Sequence, residues 1–240
     1  MSGHSKWSTI KHKKTAADQK RAQIFAKLAK AISVSASHGG GDPNTNYGLR
    51  TEIEKAKSLN MPKDKIEAAI KKGTGEDKSG ARLEELLIEG YGPENSALII
   101  KTITDNKNRT TSEIKQILTK NNGKFVGEGG VRWMFEELGI LRVDETQIHD
   151  KEKFELMTID VGAKDILMEG EFYIVCIDIK NLQNAQVTLE KFGIKNIDAS
   201  LEWMPKDKLN LPDAGKDKLE KLLDALNENE DVQEIYSNTK

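Results

Sequence analysis

The segment GHSKWSTIKHKK, residues 3–14, gathers positive charge around a single tryptophan. Within residues 1–30 the chain has eight lysines and arginines but only one acidic residue. Lysine-rich segments bind polyanions by displacing counterions from phosphates, which requires charge density rather than a fixed geometry. The candidate phosphate contacts in this region are Lys6, Lys11, His12, Lys13, Lys14, Lys20, Arg21 and Lys27. We therefore predict that the N-terminal region binds nucleic acid.

Trp7 lies among these cations and has two interpretations. Its ring could stack on an unpaired base, a contact that is typically worth about 1 to 3 kcal/mol. It could instead pack against the helices that follow and attach the basic segment to them. The sequence leaves both interpretations open.

A second candidate contact lies in TDNKNRT, residues 104–110. Asn and Asp favour turns and helix starts, so this segment is expected to join a strand to a helix that Thr110 or Thr111 caps. Arg109 in such a loop could make a forked contact with a phosphate group. The two roles are compatible, because a capped loop would hold the arginine in place.

The sequence offers no convincing catalytic or metal site. The segment GTGEDKSG lacks the Lys and Ser or Thr of a phosphate-binding loop, and GKFVGEGGV lacks the context of a dinucleotide-binding turn, so its glycines are expected to form a tight turn. The four histidines have no zinc-like spacing, and Cys176, the only cysteine, reads as a buried strand residue. We therefore expect a protein that is not an enzyme and needs no cofactor.

Charge is distributed unevenly along the 240 residues, although the net formal charge is only −2. Residues 1–72 carry a net charge of +9, and residues 73–240 carry −11. Such asymmetry predicts that a polyanion contacts the N-terminal part while the remainder repels it. The acidic part offers a surface for a protein partner, and the oligomeric state is left open.

Hydrophobic spacing predicts the elements that position these residues. Apolar residues at helical intervals, such as Leu28 and Ile32, indicate three short helices before residue 75. Asp42, which precedes a proline, is expected to cap the second helix, and Gly73 is expected to end the third. No apolar run approaches the length of a membrane span, and the N-terminus has charge where a signal peptide would be apolar, so a cytoplasmic location without membrane contact is expected.

Strand and helix patterns alternate after the helices, which predicts an α+β fold with mainly antiparallel sheets. A β-hairpin is expected around Leu138 and Gly139. The C-terminal helix and strand are expected to complete the sheet that begins near residue 84, because each part alone is too small for a core. The predicted domains are 1–75, a basic arm with three helices; 80–131 plus 206–240, a middle α+β domain; and 132–205, an inserted α+β domain.

Several long motifs together resemble the YebC/PmpR family. They are GHSKWSTIKHKKTAADQKRAQIFAKL, GGGDPNTNYGLR, AKSLNMPKDKIEAAIKKGTG, EGYGPENSALII with TDNKNRT, and NEDVQEIYSN. The resemblance covers the whole chain and is weakest between about residues 141 and 198. It implies a three-domain α+β architecture and a cytoplasmic regulator that uses no cofactor.

The resemblance also implies a nucleic-acid partner, with two alternatives for its kind. Family members are described as DNA-binding transcriptional regulators, which makes DNA the leading prediction. Members are also linked to translation at proline-rich stretches, which would make ribosomal RNA or tRNA the partner. A third alternative is a protein-interaction module whose lysines are incidental. The sequence lacks a recognition helix that could read base edges, so any DNA contact is expected to be backbone-dominated and weakly specific.

Overall fold

The computed structural model describes residues 18–77, 82–195 and 197–240, with side chains from residue 21 onward. The helices are α1 (Asp18–Gly39), α2 (Tyr47–Ser58), α3 (Lys63–Thr74), α4 (Lys107–Lys120), α5 (Lys151–Asp160), α6 (Leu182–Lys191) and α7 (Asp213–Asn227). The strands are β1 (Glu84–Tyr91), β2 (Ala97–Thr104), β3 (Lys124–Val126), β4 (Phe135–Asp144), β5 (Ala163–Glu169), β6 (Phe172–Ile177), β7 (Asp198–Pro205) and β8 (Val232–Ser237). Two antiparallel four-stranded sheets and an N-terminal helical bundle confirm the predicted α+β class.

The chain forms two compact units. One contains the described residues up to Met134 together with Asp207–Lys240, and the other is Phe135–Lys206. The helical bundle and the first sheet belong to the same unit, so the separation of residues 1–75 as an independent domain stays a prediction. No helix in the described ranges is both long and apolar enough to span a membrane.

The helical bundle is held by apolar residues at helical intervals. Leu28 and Ile32 of α1 pack with Leu49 and Ile53 of α2 and with Ile66 of α3 in one buried cluster. Gly73 lies inside α3 at its contact with α1, and Gly75, at a φ of 77°, terminates the helix instead. The prediction that Gly73 ends this helix is therefore wrong, because its lack of a side chain serves helix packing.

Asn46, and not Asp42, caps α2. The side-chain oxygen of Asn46 accepts a hydrogen bond of 3.0 Å from the backbone N–H of Leu49, and its amide nitrogen donates to the Gly40 carbonyl at 2.9 Å. Asp42 lies in the preceding turn, where its carboxylate accepts from the backbone N–H of Asn44 at 2.9 Å. Both residue types can cap a helix, but only Asn46 precedes the first residue with helical geometry.

The first sheet has the order β3-β1-β2-β8, and every neighbouring pair is antiparallel. Helices α4 and α7 cover one face, where Leu118 and Leu222 pack against Ile88 and Ile100 in a buried cluster. Helix α1 contacts β2 and β8 within the same unit. The C-terminal segment thus supplies both a strand and a covering helix to the sheet that begins at β1.

The second unit, residues 135–206, follows the order βαββαβ along the chain. Its sheet has the order β5-β6-β4-β7, which is a ferredoxin-like arrangement. Strand β4 runs without a turn through Gly139, which pairs with Ile177 on one side and Leu201 on the other. The hairpin predicted around Leu138 and Gly139 is therefore wrong. Gly139 instead makes room for helix α6, since a Cβ atom there would lie 2.9 Å from the Leu182 side chain.

Candidate nucleic-acid interface

Two cations from different helices of the bundle converge on the Phe25 ring. The guanidinium carbon of Arg21, one turn earlier on α1, lies 5.4 Å from the ring centroid. The ammonium nitrogen of Lys65, on α3, lies 5.6 Å from the same centroid. The face of an aromatic ring attracts cations, so contact with Phe25 favours the position of each of these two charges. The sequence predicted Arg21 as a phosphate contact, but Lys65 was not identified.

Helix α3 extends this basic surface. Lys65 and Lys72 are seven residues apart, which places them two turns apart on one face of the helix. Both are exposed, and neither forms an ion pair with any residue of the described ranges. Lys63 differs, because its ammonium lies 3.5 Å from the Glu67 carboxylate. We refer to Arg21, Lys65 and Lys72 as the bundle surface.

Lys27 does not belong to this surface. Its side chain is only 7% exposed, and its ammonium donates a hydrogen bond of 2.8 Å to the backbone carbonyl of Asn227. Burial, together with repulsion from Lys30, lowers the pKa of Lys27 to about 8. The predicted phosphate contact is therefore incompatible with this geometry. The physical reason is that α1 has two buried sides, one against the bundle and one against the first sheet.

Arg109 lies at the start of α4, as the predicted strand-to-helix connection requires. Asn106 caps this helix by accepting from the backbone N–H of Arg109 at 3.1 Å, so the predicted cap at Thr110 or Thr111 is wrong. The Arg109 guanidinium donates to Asp231 at 2.9 Å and to Asp105 at 3.0 Å, and these contacts raise its pKa. The side chain is about half exposed, and its contact with a phosphate stays a prediction.

Asp231 collects three donors at the junction of the bundle and the first sheet. Its carboxylate accepts from Lys30 of α1 at 2.6 Å and from Thr110 of α4 at 2.6 Å, as well as from Arg109. Although burial opposes ionisation, these hydrogen bonds lower the pKa of Asp231 to about 2. The network joins TDNKNRT and NEDVQEIYSN, which are distant in the sequence, to α1. Neither Lys30 nor Asp231 was identified from the sequence, because their pairing depends on tertiary packing.

A polar cavity of about 70 Å³ lies beside this junction. Its walls contain equal numbers of acidic and basic side chains, namely Glu52, Glu85, Glu234, Lys27, Lys55 and Lys101. Lys55 lies 3.5 Å from Glu234, and Lys101 lies 3.4 Å from Glu85. Although burial opposes ionisation of Glu234, the neighbouring Lys55 and Lys101 lower its pKa. This arrangement suits a structural ion-pair network better than proton transfer. The described part of the chain contains no cluster of three or more potential metal ligands.

Most of the predicted N-terminal contacts lie outside the described residues. These are Lys6, Trp7, Lys11, His12, Lys13 and Lys14. Lys20 is in the first turn of α1, at a position whose side chain is likewise outside the described part. The roles of all seven stay predictions.

A solved structure and curated relatives are similar to the whole chain. The crystal structure of a conserved hypothetical protein from Aquifex aeolicus matches with a TM-score of 0.85 and 38% identity, over 98% of this chain and 96% of that chain. A probable transcriptional regulatory protein from Thermoanaerobacter pseudethanolicus is 45% identical over 100% of this chain and 97% of its own length. Another protein of that description, from Chlorobium chlorochromatii, is 45% identical over 99% of this chain and 95% of its own length.

Family models account for nearly all of the sequence. Residues 5–76 match the TACO1/YebC protein N-terminal domain, and residues 83–239 match the TACO1/YebC second and third domain. The bundle surface lies within the first match, and the Asp231 network joins the two matched regions. These matches confirm the resemblance inferred from the sequence motifs, and the chain belongs to the TACO1/YebC family.

Proposed function

We propose that the protein is a DNA-binding regulator of transcription that contacts nucleic acid through its basic N-terminal region. The observation that carries this proposal is the convergence of Arg21 and Lys65 on Phe25, directly after the lysine-rich arm in the sequence. Membership of a family whose curated relatives are named probable transcriptional regulatory proteins supports a regulatory role. The protein acts by binding, without a catalytic step or a cofactor, and its predicted location is the cytoplasm.

The charges of the bundle surface suit contact with a phosphate backbone. Lys65 and Lys72 are exposed and form no ion pair with a described residue, so their charges are available to neutralise phosphates. Phosphate contacts position a protein on nucleic acid but carry little sequence information. The proposed binding therefore depends strongly on the charge of the protein and only weakly on the nucleotide sequence.

The Asp231 network separates structural cations from binding cations. Lys30 is neutralised by Asp231, and Lys27 is buried against a carbonyl, so neither takes part in binding. Both instead hold α1 against the end of α7 and the turn that precedes β8. This arrangement leaves Arg21, Lys65 and Lys72 to extend the binding surface of the arm.

Crosslinking in cells, followed by sequencing of the recovered DNA and RNA, tests this proposal. The protein is compared with an Arg21→Glu/Lys65→Glu variant and with a Lys208→Glu/Lys221→Glu control. The control reverses two exposed lysines that also form no ion pair with a described residue. Thermal denaturation of all three proteins verifies that each one is folded.

We expect genomic DNA to be enriched with the unmodified protein and the control, and to be lost with the Arg21→Glu/Lys65→Glu variant. Recovery of ribosomal RNA or tRNA without DNA would overturn the DNA assignment and support the translation alternative. Equal recovery from all three proteins would overturn the assignment of the binding surface. Recovery of no nucleic acid would support a protein-interaction module instead.

A further inference from the structure

A buried carboxylate holds the glycine-rich loop 127–132 in one conformation. Glu89 of β1 is only 2% exposed and accepts hydrogen bonds from the backbone N–H groups of Gly129, Val131 and Arg132 at 2.8, 2.9 and 2.9 Å. The Arg132 guanidinium also lies 3.2 Å from the Glu89 carboxylate. Burial opposes ionisation, but these contacts outweigh it and lower the pKa of Glu89. A charge buried with this many partners fixes the loop to the sheet.

The fixed loop leads into an exposed tryptophan. Trp133 is 66% exposed, more than any other large apolar side chain of the described residues. Its indole N–H donates a hydrogen bond of 3.2 Å to the Gly130 carbonyl, so the loop sets the position of the ring. Aromatic side chains this large are usually buried, and a pre-organised exposed ring is the arrangement that stacking contacts use.

Two exposed lysines lie on the elements that precede this loop in the chain. Lys124 lies on β3, two residues before Val126. Val126 is close to Gly130, because a side chain at Gly130 would contact it. The Gly130 carbonyl in turn accepts the hydrogen bond from Trp133. Lys120 ends α4, just before β3. Both lysines are exposed and form no ion pair with a described residue. Arg132 contributes less free charge, because Glu89 and Glu128 neutralise it.

We propose that Trp133 stacks on an unpaired base of a single-stranded nucleic acid, while Lys124 and Lys120 contact the phosphates beside that base. This inference deepens the proposed function and rests on nucleic-acid binding by the protein. Bases in a duplex already stack on their neighbours, so this contact discriminates single-stranded segments from duplex. Its residues belong to α4, β3 and the turn after β3, and none of them is part of the bundle surface.

The test is equilibrium binding of the full chain to a labelled oligouridylate of about 12 nucleotides and to a DNA duplex of about the same length. The variants are Trp133→Ala and Trp133→Phe, and the control is Leu156→Ala, which removes another exposed apolar side chain. We expect Trp133→Ala to weaken oligouridylate binding by roughly tenfold and to leave duplex binding within about twofold. Trp133→Phe should keep most of the affinity, because phenylalanine retains a stacking face.

Unchanged oligouridylate binding by Trp133→Ala would overturn the stacking contact and leave a protein partner as the occupant of this loop. An equal loss on both probes would also overturn it. The proposed function fails separately, when the unmodified protein does not bind the DNA duplex. Loss of binding in the Arg21→Glu/Lys65→Glu variant, without any effect of Trp133→Ala, would support the bundle surface and overturn this inference alone.

Discussion

Lys30 and Asp231 form an ion pair of 2.6 Å across 201 positions of the sequence. The pair joins the first helix of the bundle to the turn that precedes the last strand of the first sheet. Because Asp231 also accepts from Arg109 and Thr110, one carboxylate ties three distant segments together. The basic bundle is therefore attached to the acidic sheet by a specific network.

Because of the Asp231 network, the free energy of unfolding is expected to depend on pH in acidic solution. The pKa of Asp231 is about 2 in the folded protein, below its ordinary value of 3.8. Its stabilising effect is therefore fully present above pH 3.8 and is lost as the pH falls through about 2. We expect Asp231→Asn to lower the free energy of unfolding by about 2 kcal/mol at pH 7, and the difference from the unmodified protein to shrink below about pH 4.

Urea denaturation at pH 7 and at about pH 3 measures this difference. Asp217→Asn is the control, because Asp217 lies on the exposed face of α7. If Asp231→Asn lowers the free energy of unfolding by the same amount at both pH values, the charge of Asp231 contributes nothing to stability.

The shifted pKa of Lys27 makes stability rise with pH in alkali as well, although here it is the charged form that destabilises the folded protein. Its pKa is lowered from 10.5 to about 8, so the folded protein releases this proton before the unfolded chain does. The cost of burying the charged form is therefore present below about pH 8 and disappears as the pH rises toward 10.5. Between pH 7 and about pH 10, the free energy of unfolding of the unmodified protein should therefore rise by on the order of 2 kcal/mol relative to that of Lys27→Met.

The measurement is the free energy of unfolding of both proteins by urea denaturation at these two pH values. Lys57→Met, at an exposed position of α2, is the control for the general effect of removing a lysine. Parallel pH profiles for Lys27→Met and the unmodified protein would contradict the burial of the Lys27 charge.

Gly73 permits the close contact of α3 with α1. A Cβ atom at this position would lie 2.2 Å from the Ser33 carbonyl oxygen and 2.8 Å from the Ala36 Cβ. Alanine usually favours a helix over glycine by about 1 kcal/mol, but here the clash is expected to outweigh that gain. We expect Gly73→Ala to destabilise the protein by about 1 to 3 kcal/mol and to lower its Tm. Gly127→Ala, where a Cβ would meet nothing within 4 Å, is the control. A higher Tm for Gly73→Ala would contradict the packing.

The sequence was sufficient to predict elements with a strong apolar pattern. The three bundle helices have apolar residues at helical spacing, the strands β1, β2 and β6 are short apolar runs, and the structure contains all of them. Strand β3 has only three residues, and β5 has little buried surface, so neither produced a pattern that could be recognised. Local turn chemistry allowed both Asp42 and Asn46 as caps, and only the course of the backbone decides between them.

Prediction of the site failed where tertiary packing assigns the role of a charge. Lys27 and Arg21 belong to the same helix and look equivalent in the sequence, yet one is buried against a carbonyl and the other lies on Phe25. The approach of Lys65 to the same ring requires the packing of α3 on α1. Charge counting could therefore identify the basic region, but it could not distinguish binding cations from structural ones.

The salt dependence of DNA binding tests the central claim most directly. With about five phosphate contacts, a plot of log K against log salt for duplex DNA should have a slope of about −4 to −5. Neutralising two contacts in Arg21→Gln/Lys65→Gln should make the slope shallower by about 1.8, whereas Lys208→Gln/Lys221→Gln should leave it unchanged. An affinity independent of salt, or a slope that Arg21→Gln/Lys65→Gln does not alter, would contradict nucleic-acid binding through the bundle surface.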